Sequence, residues 1–350
     1  MQSVTPHNAA GVSSAPPGGA SPDFGKARDE FRALTSTCGV YDLSTRAKLE
    51  ITGTDRIRWL NGMVTNNIRD LAAGYGAYSF LLNPQGHILG DFFAYNRGDR
   101  ILVDTDQAQV EKILATFDHY IIMDDVEVAN LTDKLTSTGI AGPNSADVLK
   151  AAGFEVGELK PLQIADILGT KTKASVVRGE QEQYPSYEIW IAPEQGDELM
   201  TALRSAGATP VSREALELYR IGLGIPSYGQ DIRERDLPQE TEQHRALNFN
   251  KGCYVGQEIV ERIRSRGNVH RKFTGFRIAG PAPAPGAKIQ AQGKDVGEIR
   301  SSAVIPAAHG DRTVALGYIR REVGIPGKEI QIAESSATVS DLPFADLLTK

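Results

Sequence analysis

Beyond Phe273 the hydrophobic rhythm of this chain changes, and that change limits the fold more than any other feature. The segments FTGFRI, AKIQA, VGEIRSSAVI, TVALGYIRRE and KEIQIA follow one another at short range, separated by Gly, Pro and Lys-Asp turns. Short apolar runs with frequent turn residues read as a small barrel or sandwich. The part before them mixes helical and strand periods, so the chain contains at least two kinds of unit. A length of 350 residues agrees: two or three domains are expected, each able to bury its own core.

From Ala9 to Pro22 the residues are Ala, Gly, Ser and Pro apart from Val12, too little apolar surface to offset the entropy of ordering. Residues 1–22 are therefore expected to be a disordered tail. They show neither the apolar core of a signal peptide nor the arginines of a mitochondrial presequence, hence no export address. Ordered structure is expected from Phe24. A helical segment leads into the strand pattern of CGVYDLSTRAKLEITG, and DRIRWLNGMVTNNIRDL puts Ile57, Leu60, Met63 and Val64 at helical spacing. The strand-like YSFLLN follows, then PQGHILGDFFAYNRGDRILVDTD as two strands joined by turn residues. STGIAGPNSADVLKAAG and YEIWIAPEQGDELMTALRSAG each read as strand, turn and helix, and SREALELYRIGLGIP as a helix capped by Ser212. Hairpins in place of long βαβ crossovers make the class α+β.

Composition narrows the function. A net charge of −6 argues against broad nucleic-acid binding, although RIRSRGNVHRK, residues 262–272, is a basic run without an acidic residue and leaves RNA or another polyanion possible. No apolar run approaches the roughly 18 residues of a membrane helix, so a cytoplasmic protein with no membrane partner is expected. Two distant cysteines and six scattered histidines support neither a disulfide framework nor a metal site. No GxSxG, P-loop or dinucleotide fingerprint is present.

The stretch NFNKGCYVGQEIVER, residues 248–262, carries the most chemistry. Val255, Ile259, Val260 and Ile263 recur at helical spacing, placing Cys253 at or near a helix N-terminus. A helix end and the Lys251 ammonium would both favour thiolate over thiol, below the reference of about 8.5. The alternative is that Cys253 is a small buried hydrophobe.

NKGCYVGQEIVERIRSRGNVHRKFTGF resembles the signature region of the YgfZ-type folate-binding proteins, in which a Lys-Gly-Cys-aromatic-x-Gly-Gln-Glu run is the hallmark. The segments from YDLSTRAKLEITG to GDFFAY and YRIGLGIPSYGQDIRERDLPQE are similar to the same family. More distantly, the pattern resembles the T-protein of the glycine cleavage system, a tetrahydrofolate-dependent aminomethyltransferase. The resemblance implies a three-domain ring around a folate channel. It would comprise a discontinuous α+β domain at residues 23–50 and 133–266, an inserted α+β domain at 51–132, and a C-terminal β-barrel at 267–350.

It also implies roles for particular residues. Glu188 stands where the T-protein has the glutamate that grips the pterin, whose adjacent N–H and amino group one carboxylate accepts. Asp91 stands where the T-protein has two adjacent acids, here reduced to Gly90 and Asp91, which disfavours aminomethyl transfer; Asp91 otherwise caps a turn. Arg220 matches an arginine positioned for the glutamate part of folate, the alternative being a surface or interdomain ion pair. Tyr254 and Gln257 belong to the signature and are expected at the folate site, with Lys251 and Cys253 as the acting residues. The implied function is a tetrahydrofolate-binding accessory protein that supports iron-sulfur cluster assembly or repair in client enzymes. The alternatives are a tetrahydrofolate-dependent one-carbon transferase and an RNA-binding protein using the basic run.

Overall fold

The computed structural model describes residues 24–168, 173–267, 269–307 and 309–348. The tail expected at residues 1–22 lies outside them. Helix α1 (Phe24–Ser36) leads to β1 (Gly39–Asp42) and β2 (Arg46–Thr52). Then come α2 (Arg56–Met63), β3 (Gly76–Leu82), β4 (Ile88–Asn96), β5 (Ile101–Asp106), α3 (Val110–Tyr120) and β6 (Glu127–Asn130). These are followed by β7 (Thr136–Ala141), α4 (Ser145–Ala151), β8 (Ile164–Leu168), β9 (Lys173–Arg178), β10 (Ser186–Ile191), α5 (Gly196–Ser205), β11 (Thr209–Pro210), α6 (Arg213–Gly222) and α7 (Gln257–Arg266). Strands β12 (Arg271–Ala279), β13 (Lys288–Ala291), β14 (Lys294–Ile305), β15 (Arg312–Arg320), β16 (Glu329–Ile332) and β17 (Ser335–Ser340) precede α8 (Ala345–Leu348).

The strands form three separate assemblies. One sheet runs β11-β1-β7-β10-β9-β8, a second runs β3-β4-β5-β2-β6, and β12-β15-β14-β13-β16-β17 close into a barrel. The class is α+β, as the hairpin-rich pattern predicts. Although β1 and β2 are consecutive, they enter different sheets, so the chain crosses between units at residues 43–45. The second sheet therefore begins at Arg46, ahead of the boundary at Ile51 that the resemblance implies, because β2 pairs along its whole length with β5.

Each sheet buries one face against its own helices. Trp59, Leu60 and Met63 of α2 and Ile113 and Phe117 of α3 pack on Leu49, Phe92 and Val103 of the second sheet, with Trp59 and Phe117 edge-to-face at 5.0 Å. Leu149 of α4 and Leu199 and Leu203 of α5 cover Ile140, Val176 and Ile189 of the first. Fully burying such a side chain stabilises by about 1.5–3 kcal/mol. A third apolar layer, with Phe31, Tyr219, Ile305, Leu316 and Phe344, joins α1, α6 and α8 to the outside of the barrel. Ser212 caps α6 by accepting from the Ala215 N–H, and the Ser212 N–H and hydroxyl both donate to Glu30 of α1, tying the two helices.

The barrel has one strand more than the sequence suggests. SSATVS of β17 looks polar, yet Ala337 and Val339 are buried on one face while Ser336, Thr338 and Ser340 lie on the other, the alternation of a strand with one wet face. Strands β6, β8 and β9 also escaped the pattern. The burial of β6 is slight, and β9 shows no alternation because Val176, Val177 and Arg178 are all buried.

Candidate functional site

The two open sheets face each other across a cavity of about 450 Å³. Its walls combine Tyr78 of β3, Asp91, Phe93 and Tyr95 of β4, Tyr41 of β1, Glu188 of β10 and Arg46 of β2 with Tyr219 and Arg220 of α6 and the loop residues Tyr228 and Arg245. Alternation puts Asp91, Phe93 and Tyr95 on one side of β4 while Phe92 and Ala94 enter the core behind it. Two glycines make room for rings. Tyr41, Gly139 and Glu188 lie in one row across β1, β7 and β10, and a Cβ on Gly139 would come within 2.1 Å of the Tyr41 ring. A Cβ on Gly76, opposite Tyr95 in the other sheet, would come within 2.4 Å of that ring. Tyr41 therefore lies across the strand beside Glu188, and Tyr95 lies flat against β3.

A row of rings links the sheets. Tyr78 and Phe93 are 5.0 Å apart between centroids, Phe93 and Tyr95 are 6.3 Å apart and stacked, and Tyr95 meets Trp190 edge-on at 5.4 Å. Trp190 then donates its indole N–H to Glu188 Oε2 at 3.1 Å. Behind this end lies a buried ionic cluster: Lys48, 0% exposed, donates to Asp104 Oδ1 at 2.7 Å and stands 4.6 Å over the Trp190 ring. Arg46 grips Asp104 with two donors. Burial alone would raise the Asp104 carboxyl, but Arg46 and Lys48 hold it below the usual range. Glu188 moves the other way, raised by burial and by the Asp104 charge against the pull of Lys48 and Arg46. The two carboxylates thus have separate characters: Asp104 is an ion-paired anion, and Glu188 is a half-buried acceptor whose charge burial makes costly.

Asp91 is held from three sides. Tyr78 donates its hydroxyl to Oδ2 at 2.5 Å, Gln109 donates its amide to Oδ1 at 2.9 Å, and the Gln109 side-chain oxygen accepts the Asp91 backbone N–H at 2.9 Å. Burial, followed by the Asp91 charge, pushes the Tyr78 phenol well above its usual value, so it remains the donor. This carboxylate faces the cavity from the middle of β4 and caps no turn. A side chain at Gly90 would instead meet Gln109 and Ile113 on the α3 side of the strand.

Arg220 and Arg245 differ in what already holds their donors. Arg220 spends all five of its donors inside the protein: two on Glu217, two from Nη1 on the Ile225 carbonyl and Asp231, and one on Ser301 of the barrel. Asp231 in turn accepts from Ser301 at 2.5 Å. Arg220 is an interdomain staple between α6 and β14. Arg245 lies with its guanidinium 4.3 Å over the Tyr78 ring, its Nε donating to Gln243 at 3.0 Å and its Nη1 paired with Glu180.

The other expected site residues do not line this cavity. Lys251, 7% exposed, sends its three protons to the carbonyls of Asn61, Val64 and Asn66 at 2.6, 2.5 and 2.6 Å. Burial pulls the ammonium down to about 7, while three acceptors match the three protons of the charged form one for one. Cys253 is exposed, and α7 begins only at Gln257. The thiolate-activating arrangement expected from the sequence is therefore corrected: the ammonium is committed to backbone, and the thiol stands outside the cavity. Tyr254 is buried beneath Lys251, 4.9 Å from its Nζ, and Gln257 accepts the Tyr254 N–H at 3.1 Å, closing the turn into α7. Among the described residues nothing lies within 4 Å of a Cβ on Gly252, whereas Gly256, at φ +81°, packs where a Cβ would come 2.5 Å from the Asn83 carbonyl.

A family model described as the GCVT N-terminal domain matches residues 15–251. The chain belongs to the GCVT family. Its relatives include the aminomethyltransferases of Rubrobacter xylanophilus, 28% identical with 90% of this chain and 85% of the relative covered, and of Rippkaea orientalis, 27% identical with 88% and 85% covered. That of Halothermothrix orenii is 26% identical with 90% of each covered. The crystal structure of the glycine cleavage system aminomethyltransferase T from Bartonella henselae superposes with a TM-score of 0.82 at 20% identity, covering 92% of this chain and 90% of that one. The T-protein fold implied by the resemblance is the fold observed.

Within this GCVT-family chain, the KGCYVGQ run is a zipper that docks residues 245–257 on the loop after α2. Besides the Lys251 bonds, Asn248 and Val255 donate backbone N–H groups to Thr65 and Gly62, Thr65 donates to the Ala246 carbonyl, and Asn66 bridges the carbonyls of Tyr78 and Arg245. The residues that sequence reasoning missed are Arg46, Lys48, Tyr78, Asp104, Gln109 and Arg245. The one available signal was charge at odds with a buried strand: Lys48 and Asp104 interrupt the apolar runs of β2 and β5.

Proposed function

We propose that this protein binds a reduced folate in the cavity between its two open sheets, with Glu188 holding the pterin and the row of Tyr78, Phe93 and Tyr95 flanking the rest of the ligand. The observation that carries this reading is Glu188 itself. It is a half-buried carboxylate in an aromatic-lined cavity, oriented through one oxygen by Trp190, with the other oxygen available to paired N–H donors. Each charge-assisted bond so formed contributes about 1.5–3 kcal/mol. The cavity volume of about 450 Å³ suits an organic ligand of that size.

The role of the bound folate in this reading is the YgfZ-type one, accessory support of iron-sulfur enzymes. Its support is the signature run, together with the exposure of Cys253 away from the cavity, where a protein client has access to the thiol. Aminomethyl transfer is the second reading. It is supported by Asp91, held in the cavity by Tyr78 and Gln109, and by relatives named aminomethyltransferases.

Titration calorimetry with tetrahydrofolate on wild type and Glu188→Gln tests the shared part: a loss of about tenfold or more in the variant is expected, and equal affinities refute it. Restoration of cluster-dependent enzymes in a deletion strain by Cys253→Ser as well as by wild type would refute the accessory role. Turnover with tetrahydrofolate and an aminomethyl-carrying protein, abolished in Asp91→Asn, would establish the transferase instead.

A further inference from the structure

Resting on the folate reading, we infer that Arg245, and not Arg220, is the residue that reads the carboxylate end of the ligand, and that Glu180 occupies it in the empty protein. Arg220 has no donor left to give, and freeing one would break a bond to Glu217, Asp231, Ile225 or Ser301. Arg245 is differently placed. Its Nε and Nη1 are used by Gln243 and Glu180, while Nη2 has no hydrogen-bond partner among the described residues. Its guanidinium lines the main cavity and also a neighbouring one of about 320 Å³, which shares Gln181, Leu223 and Ile225 with the first.

Position along the ring row makes the assignment specific. Trp190 fixes Glu188 at one end of the row, Tyr95 and Phe93 continue it, and Tyr78 carries Arg245 on its face at the other end. Folate has the same order of chemistry: an N–H edge on the pterin, an aromatic ring, then carboxylates. An arginine fork takes a carboxylate with two parallel bonds, and the Tyr78 ring keeps the plane of the fork in place. Glu180 sits on the β9–β10 hairpin loop with its carboxylate against Nη1, in the place a ligand carboxylate would take. Binding therefore exchanges an internal carboxylate for the ligand's, and the hairpin is released as the tail enters. The Asn66 bond to the Arg245 carbonyl connects this residue to the loop clamped by Lys251, so the arginine stands on a fixed backbone.

The test compares tetrahydrofolate with 6-methyltetrahydropterin, which has the same head and no carboxylates, on wild type, Arg245→Gln, Glu180→Gln and Glu188→Gln. Arg245→Gln is expected to weaken tetrahydrofolate by about 10- to 100-fold, the loss of a charge-assisted pair, and to leave the pterin within about twofold. Glu180→Gln, which leaves the arginine and its stacking intact, is expected to tighten tetrahydrofolate several-fold without affecting the pterin; Glu188→Gln weakens both. Equal losses for the two ligands in Arg245→Gln, or unchanged tetrahydrofolate affinity in either Arg245→Gln or Glu180→Gln, overturn the assignment while the folate reading stands. A wild-type protein that binds neither ligand overturns the folate reading itself.

Discussion

Replacing Lys251 by Met separates two roles for the signature lysine. In the structure its ammonium holds three backbone carbonyls, Asn61, Val64 and Asn66, at 2.5 to 2.6 Å in a nearly water-free pocket. Methionine fills the stem volume but leaves the three acceptors without a donor. Each lost charge-assisted bond costs about 1.5–3 kcal/mol, and the removed desolvation cost of the ammonium offsets part of the total. A net loss of about 3–5 kcal/mol is expected, comparable to stripping one partner from a buried pair. At the usual slope for domains of this size, that lowers the melting temperature by on the order of 10 °C. The assay is thermal unfolding followed by circular dichroism, combined with the rate at which a thiol reagent modifies the folded protein. That rate reports on Cys253, since Cys38 is 2% exposed and burial pushes its thiol up to about 12. The expected result is a large fall in melting temperature with a thiol rate within about twofold of wild type. A variant that melts with wild type but reacts far more slowly would refute the clamp and restore the lysine as an activator of the thiol.

Three further outcomes follow from the same geometry. Tetrahydrofolate affinity should fall as pH is lowered through the raised Glu188 pKa, beginning above the usual carboxylate range, because the pterin needs the ionised form; the same raised pKa means that Glu188 favours folding at low pH and loses that contribution as pH rises through it. Isothermal titration at several pH values, with Glu188→Gln as a flat reference, checks the first part. Arg220→Ala should destabilise the protein by about 3–5 kcal/mol, leaving Asp231 buried without its cation, while folate affinity per folded molecule stays within about threefold; urea unfolding and binding together distinguish this from a ligand role. Gly139→Ala should push the Tyr41 ring off the strand and toward Glu188, weakening tetrahydrofolate by about tenfold or more at a stability cost of about 1–3 kcal/mol, read by titration and thermal unfolding.

What the chain's own pattern determined is mostly local. The hairpin-rich first part, the strand-turn-helix units around α4 and α5, the Ser212 cap and the barrel after Phe273 all rest on periodicities of two and 3.6 and on turn residues, which act over a few neighbours. Strand β9 lacked that periodicity because it buries three consecutive residues, Val176, Val177 and Arg178, and β17 hid its own because only Ala337 and Val339 are apolar among serines and a threonine. For the site, Glu188 and Asp91 were legible through family resemblance, and both line the cavity. Lys251, Cys253, Tyr254 and Gln257 stand together in the signature, but adjacency in sequence gave no sign of where a side chain ends. The fold turned Lys251 toward three carbonyls, buried Tyr254 beneath it and left Cys253 outside. Tertiary structure likewise decided between two arginines of identical chemistry: all five donors of Arg220 found partners, and Arg245 came to rest on Tyr78 with donors to spare. A guanidinium's role depends on what already holds its protons, and those partners, Ser301 for one arginine and Glu180 for the other, are brought near only when the sheets and the barrel close around them.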